Sequence, residues 1–231
     1  YVVEERPNDQ VELSGGWGAG RIVGTLGVSF NNFSTRNIFN RSTWRPLPSG
    51  DGQRLSIRAQ SNGLFFQSYN ASFTEPWLGG KKPNSLTVTF FHSVQSNGFR
   101  ANDANRQDVK ISGATVGFGK RLKRPDDFFN VFVELNYQYY QLNNFFSVFA
   151  FSKGYANNIN LRLTLFRNST DQMIYPRQGS DIKIIGQFTP PYSLFNSRDY
   201  SVLSDQEKFK YVEYFKWKFT SSWFTRLAGD L

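Results

Sequence analysis

Apolar and polar side chains alternate along at least six segments of the chain, which together span most of its length. The clearest is 129–141: Phe129, Val131, Val133, Leu135, Tyr137 and Tyr139 share one parity, and Asn130, Glu134, Asn136 and Gln138 fill the other. Successive side chains of a strand point to opposite faces, so such a segment has one apolar and one polar face. Carried along the whole chain, the pattern predicts ten strands, at 10–17, 21–30, 53–60, 65–73, 85–93, 108–120, 129–141, 158–167, 181–188 and 208–223. The first places Val11 and Leu13 outward, and the second sets Ile22, Gly24, Leu26, Val28 and Phe30 against Val23, Thr25, Gly27 and Ser29. The third and fourth meet across Ser61-Asn62-Gly63, a hairpin signal. In the sixth, the apolar parity switches from Val109 and Ile111 to Ala114, Val116 and Phe118, which predicts a bulge near Ser112-Gly113. Glu213 breaks the parity of the tenth, an anomaly that disappears if that strand enters a membrane late.

The connections sharpen the picture. Those after the first and third strands are tight, whereas 95–107, 142–157 and 189–207 read as long and polar. An antiparallel meander with long loops on one side is the pattern of an outer-membrane barrel, although the long segment 31–52 breaks a strict rule of short turns on the other side. Composition points the same way: of 231 residues only 39% are hydrophobic, yet 17% are aromatic and 24 are Phe. A soluble sandwich draws its core from Val, Ile and Leu, whereas a membrane barrel combines aromatic girdles with a polar interior. No apolar run reaches the roughly 18 residues a membrane helix needs. Residues 1–10 lack the regions of a signal peptide, so the chain reads as mature, trimmed or an excerpt.

Candidate chemistry is sparse. Cysteine is absent and His92 is the only histidine, which excludes thiol nucleophiles, disulfides and Cys/His zinc sites and leaves His92 as the only base for a Ser-His-Asp arrangement. His92 follows Leu86, Val88 and Phe90 at one parity, a boundary or packing position. No enzyme activity, metal or cofactor is expected. The net charge of +9 and the aromatic-basic run 208–218 suggest a single-strand nucleic-acid surface. However, Lys210, Lys216 and Lys218 share one parity opposite Phe215, Trp217 and Phe219, the pattern of a solvated face, and Lys81, Lys82, Arg121, Lys123 and Arg124 read as solvated loop charge. Nucleic acid is therefore not an expected partner. Gly16-Trp17-Gly18-Ala19-Gly20 lacks the βαβ context of a dinucleotide loop.

Four motifs in register carry a family resemblance. Val2-Val3-Glu4-Glu5-Arg6-Pro7 followed by Val11-Glu12-Leu13-Ser14-Gly15-Gly16-Trp17-Gly18 resembles the junction between the last POTRA module and the first barrel strand of BamA-type outer-membrane assembly proteins. Asn37-Ile38-Phe39-Asn40 resembles that family's Asn-Leu-Phe-Gly turn, with Asn40 in place of glycine. Phe73-Thr74-Glu75-Pro76-Trp77 is similar to its turn motif after the fourth strand, and the segment from Asp171 to Ser180 to a later Pro/Gly turn. The resemblance implies an all-β, antiparallel transmembrane barrel, here about ten strands of some sixteen, with 1–8 ending a POTRA module or linker and 9–231 forming the front of the barrel. The family's Val-Arg-Gly-Phe-type loop and closing strand are not found in the sequence. It further implies the bacterial outer membrane as a multi-pass location. The partners implied are outer-membrane lipid and lipopolysaccharide, unfolded outer-membrane protein clients and accessory assembly lipoproteins. The implied function is folding and inserting β-barrel proteins through a lateral seam whose first strand holds Val11, Glu12, Leu13, Ser14, Gly15, Gly16 and Trp17. Gly15 and Gly16 either weaken that strand or allow tight curvature. Pro76 ends a strand and Trp77 anchors at the membrane interface. A passive porin or transporter barrel, or a soluble glycan- or nucleic-acid-binding β protein, remains as the alternative reading.

Overall fold

The computed structural model describes residues 9–18, 21–80, 82–146, 148–195 and 199–225. The junction motif at 2–7, the turn residues Ala19 and Gly20, Lys81 and the segment past 225 lie outside the described residues.

The alternation becomes ten strands: β1 (Gln10–Gly18), β2 (Arg21–Phe33), β3 (Gln53–Ser61), β4 (Phe66–Glu75), β5 (Asn84–Ser96), β6 (Asp108–Arg121), β7 (Phe129–Asn143), β8 (Gly154–Asn168), β9 (Gly179–Phe188) and β10 (Phe215–Phe224). They form one sheet in sequential order, each antiparallel to the next, the wall of a transmembrane β-barrel. Expected and observed bounds agree at the centres, and several strands run longer. β8 begins four residues before the apolar alternation that announced it, at Gly154 rather than Asn158.

Register explains why the alternation has the face it does. One row of directly opposed residues crosses nine strands as Phe30, Leu55, Phe73, Val88, Val116, Leu135, Leu161, Phe188 and Phe215, and every member is apolar. The adjoining row, on the opposite face, reads Ser29, Ser56, Ser72, Thr89, Thr115, Asn136 and Asn160. Here side chains bond across strands. Thr89 Oγ1 donates to Ser72 Oγ (3.3 Å), Thr115 Oγ1 to Asn136 Oδ1 (2.8 Å) and Asn136 Nδ2 to Asn160 Oδ1 (3.2 Å), which Gln187 Nε2 also reaches at 2.9 Å. An outward apolar band and an inward hydrogen-bonded polar wall are what a lipid-spanning barrel requires, because a polar group left unpaired there is costly. No helix among the described residues is long and apolar enough to cross a membrane.

Four expectations need correction. First, β6 pairs in unbroken register with β5 and β7, so no bulge occurs at Ser112-Gly113. The parity switch marks a change of surroundings: Ala114, Val116 and Phe118 face outward, while Val109 turns inward into a cluster with Leu142, Phe151 and Ala156, against which Ile111, Tyr140, Phe145, Phe149 and Val212 pack. Secondly, the segment 142–157 is therefore not a polar loop. Its Phe149 stacks on Phe151 and meets Tyr140 edge-on, both at 5.3 Å between centroids, folding the connection over the inner face of the wall. Thirdly, the last strand starts at Phe215, not at 208, so Lys210 does not share a strand face with Lys216 and Lys218. Residues Asp205–Lys208 form a helical turn. Glu213 lies before the strand and accepts bonds from the Ser193 N–H (3.0 Å) and Oγ (2.9 Å), which removes the parity anomaly. Fourthly, the long segment between β2 and β3 is a folded element, with a short 3-10 helix at Arg41–Thr43 and bridges Phe33 to Ser49 and Trp44 to Pro48.

Candidate functional site

Among the described residues the candidate seam strand, β1, pairs along one edge, as β10 does at the other end of the sheet. Its backbone pairs with β2 from Gln10 opposite Ser29 to Gly18 opposite Arg21, and no described strand pairs with its other edge. Outward, Val11, Leu13 and Trp17 are 75%, 81% and 74% exposed, far above the partly covered band of the inner strands. Inward, Glu12 lies in one register row with Gly27 of β2 and Arg58 of β3. The Arg58 guanidinium reaches over Gly27 and donates from Nη2 to Glu12 Oε1 at 2.9 Å. A Cβ on Gly27 would sit 3.3 Å from Glu12 Oε2 and 3.7 Å from Arg58 Cγ, so an added side chain there would crowd the ion pair.

Gly15 and Gly16, with Gly24 opposite Gly15, differ from Gly113 and Gly119 of β6. In β6, a Cβ at Gly113 would fall 2.4 Å from the Phe91 ring, and one at Gly119 would fall 2.6 Å from Phe132, so those glycines make room for aromatic rings. At Gly15 and Gly16 an added Cβ would meet nothing within 4 Å. Neither has the positive φ that favours glycine. What remains is their entropic effect: glycine in a strand loses more freedom on ordering and has no side chain to pack. Ser14, between Leu13 and Gly15, is exposed like the rest of the strand.

The turn motif sits at the opposite rim from the β1–β2 turn and knits two connections together. Phe73 meets Phe33 edge-on at 6.2 Å, and Thr74 Oγ1 lies 3.2 Å from Thr87 Oγ1. Glu75 accepts from Gln53 Nε2 (2.7 Å) and from the Trp77 N–H (2.9 Å), closing the turn past Pro76. Gln53 is buried and also clamps Thr35, accepting its N–H at 2.8 Å and donating to its Oγ1 at 3.1 Å. In the second motif, the Asn37 side chain donates to the Ser49 carbonyl at 2.9 Å beside Gly50, whose positive φ suits glycine, while Phe39 projects into solvent. Thus the β2–β3 segment is braced from both ends, a role its length alone did not announce.

In the third turn, Asp171 Oδ1 accepts the N–H groups of Arg177 (3.0 Å) and Gln178 (3.3 Å). Partial desolvation works against its ionised form, but these backbone donors outweigh it and hold the carboxyl below its ordinary value. His92 faces outward, stacked on Tyr69 at 6.5 Å, with Nδ1 2.8 Å from Ser112 Oγ. It packs at the end of the apolar face and is not brought together with the seam strand or the turn motifs.

Comparison with known proteins agrees with this architecture. The model of the Omp85 superfamily domain matches residues 49–230, a span that begins after β2 and so does not include the seam strand. Among solved structures, the chain is similar to BamA from Haemophilus ducreyi lacking POTRA domains 1–3, with a TM-score of 0.57 and 20% identity over 81% of this chain. It spans 35% of that chain's length. No curated protein sequence matches. With ten sequential antiparallel strands, an apolar outer band and a domain match over most of its length, the chain belongs to the Omp85 superfamily.

Proposed function

We propose that this chain forms the front wall of a barrel that folds and inserts outer-membrane β-barrel proteins, with β1 as the strand whose free edge templates incoming strands. The observation that carries this reading is the pair of central glycines in β1, which neither φ nor, among the described residues, space requires. An unpaired strand edge in lipid leaves backbone N–H and C=O groups unsatisfied, and a client strand satisfies them by edge addition. Membership of the Omp85 superfamily supports the reading. On this proposal residues 1–8 end a POTRA module or linker and 9–231 belong to the barrel. The protein lies in the bacterial outer membrane as a multi-pass barrel, and its partners are lipid and lipopolysaccharide, unfolded barrel clients and accessory lipoproteins.

Two measurements on the full-length protein test this. Depleting it should lower the amounts of several unrelated outer-membrane β-barrels. Cysteines that lock β1 to the closing strand of the full-length barrel should stop growth until a reductant is added. Normal growth of the locked strain would sink the proposal, and loss of solute uptake with other barrels unaffected would indicate a passive transporter instead.

A further inference from the structure

We infer that the outward face of β4–β7 holds a phosphorylated glycolipid of the outer leaflet, with the Lys110 ammonium on its phosphate and a polar row beside it on its sugar. The inference deepens the location given above and rests on it for which rim faces outward, the one marked by the long connections 97–107, 144–153 and 189–214. Three observations carry it. First, the outward face changes character within one row. Phe90 and Ala114, directly opposed, belong to the apolar band, whereas the next outward row toward that rim reads Tyr69, His92, Ser112, Tyr139 and Asn157. One row further, Lys110 stands opposite Gln141. Secondly, Lys110 is half-buried and makes no ion pair among the described residues. Asp108, two positions along the same face, is buried and held by Arg106 Nε, so its charge is already matched. Thirdly, His92 lies with Nδ1 2.8 Å from Ser112 Oγ and its ring stacked on Tyr69, which leaves Nε2 with no hydrogen-bond partner among the described residues.

These strands have a neighbour on both sides, so the exposure of the patch does not come from the end of the sheet. Where the apolar band stops, lipid hydrocarbon gives way to headgroups. A lysine there lays its stem along apolar surface and carries its ammonium to the headgroup level. With no free protein anion beside it among the described residues, its counter-charge comes from the lipid. A phospholipid offers a phosphate but few hydroxyls. The row of phenol, hydroxyl, imidazole and amide groups suits a ligand that carries many hydroxyls beside its phosphates, as lipopolysaccharide does.

The test is native mass spectrometry of the full-length protein in detergent, titrated with diphosphorylated lipid A bearing its inner sugars, with the same glycolipid stripped of phosphate, and with phosphatidylglycerol. The intact glycolipid should bind more tightly than either of the others. K110Q should weaken its binding roughly tenfold, the loss expected of one hydrogen bond to a charged group, and K110R should restore most of it. K120Q, on the same face of β6 at the opposite rim, should bind as the wild type does. Heat-dependent mobility checks that each variant is folded. Wild-type binding by K110Q, an equal loss in K120Q, or phosphatidylglycerol bound as tightly as the intact glycolipid overturns the site. The readout is independent of assembly activity. If binding behaves as expected while depletion leaves other outer-membrane barrels unaffected, the site stands and the insertase reading fails; barrels lost on depletion with K110Q binding normally give the reverse.

Discussion

Replacing Gly15 and Gly16 by alanine should close β1 more firmly onto β2. Neither substitution meets a steric obstacle, since an added Cβ finds nothing within 4 Å at either site. Neither glycine has a positive φ that alanine would strain. The whole effect is therefore conformational: alanine is favoured over glycine in a strand interior by about 0.5–1 kcal/mol per site, so the double variant gains about 1–2 kcal/mol. That is a factor of roughly 5–30 in the equilibrium between paired and open β1. Hydrogen exchange of residues 11–17 in the full-length protein should slow by the same factor, with exchange in β7 unchanged as an internal reference. Exchange that stays the same or accelerates would refute the reasoning. It would mean that these glycines serve curvature, which the added methyls disturb.

Three further outcomes follow from the geometry. Glu75→Ala should leave the buried Gln53 amide and the Trp77 N–H each short of an acceptor, at a cost of about 1–3 kcal/mol, seen as a lower midpoint for loss of the compact form on heating in detergent. An unchanged midpoint would show that the motif does not brace the rim. Asn160→Ala removes the acceptor shared by Asn136 and Gln187 and the donor to Asn158 Oδ1, and should lower the same midpoint. Asn130→Ala at the half-buried start of β7, which removes only a 3.3 Å bond to the Phe128 carbonyl, serves as the control. Finally, the folded pKa of Asp171 lies below its unfolded value, so its ionised form stabilises the β8–β9 turn above the ordinary carboxyl range, and that contribution is lost as pH falls through the lowered value. A carboxyl NMR titration should place its midpoint below the ordinary value for an aspartate, and a midpoint at or above that value would contradict the hydrogen bonding described.

The strands were legible because period-two alternation is a local signal with a single geometric cause, and residues such as Val133, Glu134 and Leu135 announce their faces without help from neighbours. What was not legible is where the inner face stops being polar. Val109, Ile111 and Leu142 look like interruptions of the pattern until the aromatic connection containing Phe149 and Phe151 folds against them. That contact joins segments distant in sequence, so no short-range rule contains it. A usable signal was present, since four Phe between 145 and 151 is a poor composition for a solvated loop. For the site, the sequence identified β1 and its glycines, but not the pairing of Glu12 with Arg58, which lie 46 positions apart. Seeing that contact requires the register that sets Gly27 between them.

The wall is strongest where its rows run unbroken and weakest where they stop. The apolar row from Phe30 to Phe215 has no member on β1, because β1 begins at Gln10, opposite Ser29. With nine residues, β1 equals β3 and is shorter than β7 and β8 at fifteen. The two central glycines lower the cost of separating this strand through backbone entropy and absent side-chain packing. At Gly15 and Gly16 neither φ nor a neighbouring atom among the described residues accounts for glycine, whereas Gly113 and Gly119 of β6 make room for aromatic rings.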